Sequence, residues 1–436
     1  MSSEKESADA LPGQEQVTGP ISAWRSLDRN QKRSGIAGWL GWMFDGLDLH
    51  LYTLVATPFV ATLLMVPESH GDVGTKGSII QAAFLAGWAL GGAFFGVIGD
   101  KLGRSRTLVL TILCYSIFCG LSSLAQNWQQ LMICRFLSAL GIGGEWAVGA
   151  ALISETFPKN WRPWLAGVLQ TGVNVGVLLA CGVGLIWAGM SLDPRWIFLV
   201  GTAPALITLW IRRAVPEPDE WHSAQQEKDR THSGIRALFT RGLRGTTWMA
   251  LLICAMALTA HWAFLFWQQK FVRTHSEIAV LSRDAQNATV AWVLALIMVS
   301  SIVGNFLASW LAMRWGYARA LASMAALYGV AMWTCFSFSW SFTAVLCWFA
   351  VIGVCQGLFG LFTMCLPPMF PTLLRTTGAG FCYNIGRLAA AGGTVFFGIF
   401  NSQSNFGGAL LYASFLFIPT TYLCLRLPKA RVEVEV

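Results

Sequence analysis

Residues 96–106 read GVIGDKLGRSR and join the ends of two apolar runs. A related stretch, SWLAMRWGYAR, occupies residues 309–319. Residues 155–162, ETFPKNWR, likewise have a counterpart at residues 368–375, PMFPTLLR. Both pairs are separated by 213 residues. One constant offset for two separate motifs indicates that the chain is an internal repeat. Repeats of this kind are typical of secondary transporters, which place the substrate between their halves near the membrane midplane.

The composition around these motifs is that of a membrane protein. Hydrophobic residues make up 55% of the chain and charged residues 12%, whereas soluble domains carry about 25% charged residues. Apolar runs of about 20 residues recur, each long enough to cross the bilayer as a helix. The net charge of +8 does not indicate nucleic-acid binding, because the basic residues are scattered among the apolar runs.

The runs predict an all-α membrane protein with twelve transmembrane helices in two pseudo-symmetric six-helix bundles. A polar tail (1–34) precedes the first bundle (35–213), and a linker (214–243) separates it from the second bundle (244–425), which a short tail (426–436) follows. The predicted spans are 35–64, 78–100, 105–123, 130–156, 161–188, 195–213, 244–271, 288–313, 318–336, 341–368, 375–400 and 406–425.

The distribution of Lys and Arg predicts the orientation. With the N-terminus inside, the cytoplasmic segments hold 23 of these residues and the outer loops hold 5. This asymmetry agrees with the positive-inside rule. We expect both termini to be cytoplasmic and the location to be a cell membrane, the inner membrane in a bacterium.

The sequence carries no signature of an enzyme, a metal site or a cofactor. The eleven cysteines lie in apolar runs without metal-ligand spacing. No phosphate-binding loop or nucleophile motif is visible. Transport without nucleotide is therefore expected, with no cofactor and with a monomer as the functional unit.

The 96–106 motif resembles the loop signature of the major facilitator superfamily, and the resemblance extends over nearly the whole chain. A closer similarity is to the organic-acid branch, the sialate:proton and aromatic-acid:proton symporters. It rests on residues 45–48 (DGLD), 141–146 (GIGGEW) and 370–387 (FPTLLRTTGAGFCYNIGR). Two departures are Pro368, where an acidic residue is usual, and Met313, where the second loop signature has lost its aspartate.

Charged residues deep in the spans are functional candidates, because a charge at the bilayer centre is costly without a partner. Asp45 and Asp48, three residues apart, share one helix face. Two carboxylates this close repel each other, so the pair is predicted to hold and release a proton. Alternatively, one of them pairs permanently with Arg135 or Arg387. Glu145, after a glycine pair, is a buried packing residue, a second proton site or a gate.

Arg387 is predicted to bind a substrate carboxylate, because guanidinium binds carboxylates bidentately. Asn384 shares its helix face, and the 213-residue offset relates Arg387 to Asn174. The amides Asn384, Asn174, Gln170 and Gln356 are predicted as further substrate contacts. The alternatives are an ion pair of Arg387 with an aspartate of the first span, and interhelical hydrogen bonds of the amides.

Charged residues at the inner ends of the spans are interpreted as a cytoplasmic latch through the family resemblance, with Asp100 pairing with arginines across the halves. The alternative is that these ends are simply solvated. Arg135, nearer the outer face, is predicted to pair with a first-span aspartate and to seal the outside. The gating candidates are Gly96, Asp100, Gly103, Arg104, Arg106, Arg135, Glu155 and Arg162.

The predicted function is proton-coupled uptake of a small organic acid anion by alternating access. Sialate, a monocarboxylate such as lactate, and an aromatic acid all remain open as substrates. The expected partners are this anion, the proton and the bilayer, with no nucleic acid. An uncoupled facilitator or exporter on the same scaffold is the nearest alternative, and a transporter-like nutrient sensor is an alternative of another class.

Overall fold

The computed structural model describes residues 25, 27–67, 70–158, 161–190, 193–226, 234–400 and 406–427. Most of both predicted tails and part of the linker, residues 227–233, lie outside these ranges. Within them the chain is helical and contains no β-strand. The expected all-α architecture is confirmed.

Helical segments lie at the positions of all twelve predicted spans within the described residues. We number them α1 to α12: α1 Arg29–Leu64, α2 Gly71–Leu102, α3 Arg104–Ser122, α4 Trp128–Thr156, α5 Arg162–Met190, α6 Ile197–Val200 with Pro204–Ala214, α7 Arg244–Thr274, α8 Arg283–Trp315, α9 Tyr317–Ser337, α10 Phe342–Cys355 with Gly357–Cys365, α11 Arg375–Phe400, and α12 Phe406–Ser414 with Phe417–Leu425. The shorter helices are Asp219–Gln226, called the linker helix below, Ser276–Ala279, and the 3-10 turns Pro194–Trp196, Ile235–Phe239, Pro367–Met369 and Thr372–Leu374.

Nine of the described helices are long and apolar enough to cross a membrane. The helices at the first, sixth and eleventh predicted spans fall outside that set. α6 is interrupted at residues 201–203, before Pro204 begins its second piece, a position where proline is tolerated. α1 and α11 carry polar and charged residues in their interiors, including Asp45 and Arg387.

Side-chain caps and tight turns explain where several helices begin. The Gln31 backbone N–H donates to Asp28 Oδ1 at 2.7 Å, and the Asp28 backbone N–H donates to Gln31 Oε1 at 3.0 Å, forming a capping box at α1. Gly103 (φ 108°) joins α2 to α3, and Gly316 (φ 80°) joins α8 to α9. These positive φ angles favour glycine. The two turns are 213 residues apart, so the repeat seen in the sequence is also a repeat of backbone conformation.

The halves meet through two symmetry-related helix pairs. α2 packs against α11, and α8 packs against α5; the 213-residue offset carries α2 onto α8 and α5 onto α11. Glycines permit the close approach at α2 and α11, where a β-carbon on Gly380 would overlap the Gly92 carbonyl. Small residues at such contacts are typical of membrane helices. The centre of the bundle is therefore bounded by both halves.

Candidate functional site

The two aspartates of α1 have different partners. Asp48 forms an ion pair with Arg135 of α4, with 3.2 Å between Nη1 and Oδ2. Cys119 donates from Sγ to Asp48 Oδ1 at 2.6 Å, and Ser138 donates to Oδ2 at 3.5 Å. Both charged side chains are almost fully buried. Asp48 is thus held by three side chains, which is the arrangement of a fixed ion pair.

Asp45 instead contacts Glu145 of α4. Their carboxyl groups lie within hydrogen-bonding reach of each other, and we call them the carboxyl pair. Asp45 Oδ1 and both Glu145 oxygens are buried, and they accept no hydrogen bond from a donor within the described residues. Two carboxylates in contact cannot both be ionised at low cost, so the pair is suited to share a proton. Helical spacing predicts a pair of Asp45 with Asp48 on α1, whereas in the structure the Asp45 carboxyl contacts Glu145 of α4.

A glycine makes room for this pair. A β-carbon on Gly41 of α1 would overlap the Glu145 carboxylate. The Glu145 carboxylate therefore approaches the α1 backbone closely at Gly41, one helical turn from Asp45. Sequence reasoning missed Gly41, and its position four residues before Asp45 was the available signal.

Arg387 of α11 is surrounded by aromatic rings. Its guanidinium carbon lies 3.9 Å from the ring centre of Trp88, from the opposite half, and 4.6 Å from that of Tyr383. Nη1 donates to Asn384 Oδ1 at 2.9 Å. Nε is buried and has no hydrogen-bond acceptor among the residues that the structure describes. None of the ion pairs within the same ranges joins Arg387 to a carboxylate. The cation is therefore oriented by rings and an amide, with hydrogen-bonding capacity left over.

The rings around Arg387 connect the halves. Trp146 of α4 stacks on Tyr383 of α11 with 3.9 Å between ring centres and 9° between planes. Trp42 of α1 is stacked parallel to Trp146, with 6.4 Å between ring centres. Stacked and edge-on aromatic contacts each contribute about 0.5–1.5 kcal/mol beyond burial. The stack therefore helps to fix the positions of α1, α4 and α11 around the central charges.

The predicted amide ligands divide between two places. Asn174 of α5 accepts a hydrogen bond from Asn305 of α8 at 3.2 Å, across the other contact between the halves. Asn384 lies beside Arg387 and donates to the Gly380 carbonyl at 2.9 Å. Gln356 is buried at the break of α10, with its Nε2 unpaired among the described residues. Asn384 therefore lies beside Arg387. Asn174 lies at the position in the first half that the 213-residue offset relates to Arg387.

Gln170 and Asn305 are two further amides within the helices of the two halves. Gln170 of α5 is half-buried and packs against Gly360 of α10. Asn305 was not identified from the sequence. The 213-residue offset relates Asn305 to Gly92 of α2, and the Asn384 amide packs against Gly92. The offset was therefore the signal that could have identified Asn305.

Charged side chains also gather at the end of the bundle where the linker lies, which we call the linker side. Arg104 forms a two-point contact with Glu155, at 2.9 Å from Nε and 2.8 Å from Nη2. Arg104 also donates to the Thr372 carbonyl of the second half at 2.7 Å. Arg375 of that half lies 3.7 Å from Glu155. The halves are thus joined on this side by a buried charge cluster.

Asp100 makes its contacts across the halves with backbone groups rather than with arginines. It pairs with Arg104 one turn away at 3.1 Å. Its carboxylate also accepts from the backbone N–H groups of Thr376, at 3.3 Å, and Thr377, at 2.9 Å, and from the Thr377 hydroxyl. These groups open α11, and a helix N-terminus favours an anion. The expected Asp100–arginine pairing between the halves is therefore replaced by a helix-terminus contact.

The linker adds two acidic residues that sequence reasoning did not assign. Glu217 accepts hydrogen bonds from the first three backbone N–H groups of α3, those of Arg104, Ser105 and Arg106. Glu220 pairs with Arg375 and lies 3.6 Å from Arg162. The signal available was an acidic residue between Pro216 and Pro218, directly after a span.

Arg106 and Gly96, two further gating candidates, contribute to the linker-side contacts mainly through their backbones. The Arg106 side chain is exposed, and only its backbone reaches Glu217. Gly96 lies against the Thr376 and Thr377 backbone, so it permits the approach of α11 to α2. The linker helix also contacts this region, where the Trp221 indole donates to the Asp100 carbonyl at 3.1 Å.

Comparison with known proteins gives a family and several relatives. The family described as the Major Facilitator Superfamily matches residues 36–394. The chain is 28% identical to a probable 4-methylmuconolactone transporter of Cupriavidus pinatubonensis, over 89% of this chain and 88% of that protein. It is 25% identical to a sialic acid transporter of Escherichia coli, over 84% and 86%. It is 28% identical to a cis,cis-muconate transport protein of Acinetobacter baylyi, over 84% and 87%.

Solved structures share the fold. The proton:xylose symporter XylE superposes with a TM-score of 0.75 at 16% identity, covering 92% of this chain and 96% of that one. The fucose:proton symporter FucP of E. coli superposes with a TM-score of 0.70 at 16% identity, covering 92% and 100%. At this identity the likeness establishes the architecture alone.

Proposed function

Because the chain belongs to the major facilitator superfamily, we propose that it carries a small organic acid anion across the membrane by proton-coupled symport. The observation that carries this proposal is the arrangement of Arg387. It is a deep cation that rings and an amide hold in place, and it has no carboxylate partner within the described residues. A guanidinium in this state is a ready ligand for a carboxylate that arrives from outside.

The carboxyl pair of Asp45 and Glu145 is proposed as the proton site. It lies close enough to Arg387 for electrostatic interaction but is not in ion-pair contact with it. An anion bound to Arg387 and a proton bound to the pair therefore stabilise each other. Asp48 is excluded from this role in the proposal, since Arg135, Cys119 and Ser138 hold its carboxylate.

The linker-side cluster is proposed as the gate that closes one end while the other end is open. With both termini placed in the cytoplasm, this cluster faces the cytoplasm, so the conformation is one closed to the inside. Alternating access then requires the Glu155, Asp100 and Arg104 contacts with the second half to open. The direction proposed is uptake.

The named relatives support an organic acid as cargo, since their names refer to 4-methylmuconolactone, sialic acid and muconate transport. The test is an uptake panel in proteoliposomes, with radiolabelled N-acetylneuraminate, lactate, benzoate and nicotinate. We expect at least one acid to accumulate only when the outside is more acidic than the inside. Accumulation of none of these acids, or equilibration that ignores the pH gradient, would contradict the proposal and favour an uncoupled facilitator.

A further inference from the structure

We infer that the carrier takes a singly charged carboxylate together with one proton, so that each cycle moves no net charge across the membrane. The inference rests on the proposed function and adds the charge class of the substrate and the electrical character of transport. It follows from the charged side chains that are buried or half-buried within the predicted spans.

The first of these charges cancel each other permanently. Asp48 and Arg135 form a buried ion pair with 3.2 Å between their nearest atoms, and Cys119 and Ser138 add hydrogen bonds to the same carboxylate. Breaking a buried pair leaves an uncompensated charge, which is strongly unfavourable. These two residues therefore contribute zero net charge in every state of the cycle.

The second group is neutral when the site is empty. Asp45 and Glu145 are in contact, so one proton shared between them leaves a charge of −1 on the carboxyl pair. Arg387 carries +1 and interacts electrostatically with Asp45. The pair and the guanidinium thus balance without a direct ion pair, which leaves Arg387 able to exchange its electrostatic partner.

Binding of a carboxylate removes this balance. Once the substrate anion pairs with the guanidinium of Arg387, that cation no longer compensates the charge of the buried carboxyl pair. The charge that remains on the pair is costly there, and one proton taken up by the pair removes it. The loaded site then holds the anion with Arg387 and a doubly protonated pair, and it is neutral again. One negative charge and one proton have entered.

The other ionisable groups around the carboxyl pair do not change this balance. Tyr115 of α3 faces both carboxyl groups and Asp48, and Tyr383 lies beside Arg387. Both are phenols, which are neutral in a buried apolar setting. His261 of α7 lies 3.0 Å from the Tyr328 hydroxyl and packs on the Phe359 ring. No carboxylate occurs among its described contacts, so it is neutral too.

The same balance of buried charges predicts the charge of the substrate. Of the two arginines that lie deep in the spans, Arg135 is committed to Asp48, and Arg387 remains for the substrate. A second carboxylate on the same molecule would have no cation at mid-depth and would add a buried charge. Monocarboxylates are therefore expected to be carried, and matched dicarboxylates to be rejected.

The experiment measures accumulation of the monocarboxylate that the panel selects, in proteoliposomes with a tenfold proton gradient. Potassium gradients with valinomycin set membrane potentials of 100 mV of either sign. We expect about tenfold accumulation that is the same at both potentials, as one proton for one monoanion requires. One uncompensated charge would change the ratio by about 50-fold per 100 mV. Protein-free liposomes measure the passive diffusion of the neutral acid, which reaches the same tenfold ratio, so the initial rate in these liposomes is subtracted at each potential to give the protein-dependent rate.

A competition assay tests the substrate class in the same vesicles. Isophthalate is matched to benzoate, and pyridine-3,5-dicarboxylate to nicotinate. Each dicarboxylate is expected to compete at least tenfold more weakly than its monocarboxylate. Uptake that follows the potential, or a dicarboxylate that competes equally, would overturn this inference and leave the proposed transport function intact. Failure of every panel acid to respond to the pH gradient would instead overturn the proposed function.

Discussion

The guanidinium of Arg387 on α11 lies 3.9 Å from the ring centre of Trp88 on α2, so a cation of one half rests on an aromatic face of the other. The second deep arginine, Arg135, is held by a carboxylate. A ring attracts a cation without using its N–H groups, whereas a carboxylate uses them. On the basis of this difference we propose Arg135 as part of the scaffold and Arg387 as the substrate ligand.

Removing one member of the Asp48–Arg135 ion pair should destabilise the protein. Asp48→Asn leaves Arg135 without a buried anion, so we expect a loss of about 3–5 kcal/mol of unfolding free energy. Thermal unfolding in detergent measures the effect. The matched control is Asp45→Asn on the same helix, where no cation is in ion-pair contact, and its loss should be clearly smaller.

Removing both charges should restore much of that stability. The double variant Asp48→Asn with Arg135→Gln buries two neutral side chains in place of an unpaired charge. Its melting temperature should therefore lie above that of either single variant. Equal losses in the Asp45 and Asp48 variants, or simple additivity in the double variant, would count against a fixed ion pair.

Removing both members of the carboxyl pair should uncouple transport from the proton. In the double variant Asp45→Asn with Glu145→Gln, no carboxyl remains to take up a proton when the anion binds Arg387. We expect accumulation driven by a pH gradient to disappear, while exchange of labelled for unlabelled acid continues. Glu277→Gln, an exposed residue outside the site, is the control that should behave like the unchanged protein.

The single variants should behave differently from the double variant. Each keeps one carboxyl, which is charged when the site is empty and protonated when the anion is bound, so each should still accumulate substrate in a pH gradient. A double variant that still accumulates substrate against its gradient would move the proton site away from the pair.

Loss of the linker carboxylate at α3 should loosen the start of that helix. Glu217→Ala removes the acceptor of three backbone N–H groups, and helix caps contribute about 0.5–2 kcal/mol. Amide hydrogen exchange of residues 104–107 should become faster. Glu277→Ala is the control, because Glu277 accepts from the Phe342 N–H at α10, so only that helix start should respond. Unchanged exchange at α3 would rule out the capping role.

Weakening the helix-terminus contact of Asp100 should slow turnover without preventing binding. Asp100→Asn keeps the shape of the side chain and removes the charge that faces the start of α11. The closed linker side becomes less stable, so we expect near-normal substrate affinity and a lower maximal uptake rate. Uptake at the unchanged rate would show that this contact does not serve as a gate.

The sequence predicted the architecture because hydropathy and repeat spacing are local properties. The 213-residue offset located both Gly103 and Gly316, which adopt the same positive φ. The deep charges were likewise visible as exceptions within apolar runs. A twelve-helix, two-bundle fold follows from these features without knowledge of any contact between helices.

The pairing of the charges could not be predicted, because helical spacing gives the face of one helix and not its neighbour. Asp45 and Asp48 share a face by periodicity, yet one contacts Glu145 and the other Arg135. The offset of three residues along the helix turns the Asp45 and Asp48 side chains toward different neighbours, and Gly41 leaves space for Glu145 beside Asp45. The helix-terminus partner of Asp100 is a backbone feature, and no residue type marks it in the sequence.

The central claim is that Arg387 binds the substrate carboxylate, and paired binding and melting measurements on purified Arg387→Ala test it most directly. A charged hydrogen bond contributes about 1.5–3 kcal/mol, so the acid selected by the uptake panel should bind roughly tenfold to a hundredfold more weakly. Its neutral amide should lose little affinity, and the melting temperature should stay close to that of the unchanged protein. Arg387→Lys should bind the acid with an affinity between those of Arg387→Ala and the unchanged protein, because lysine keeps the charge without the planar fork. A well-folded Arg387→Ala protein that binds the acid with unchanged affinity would contradict the account.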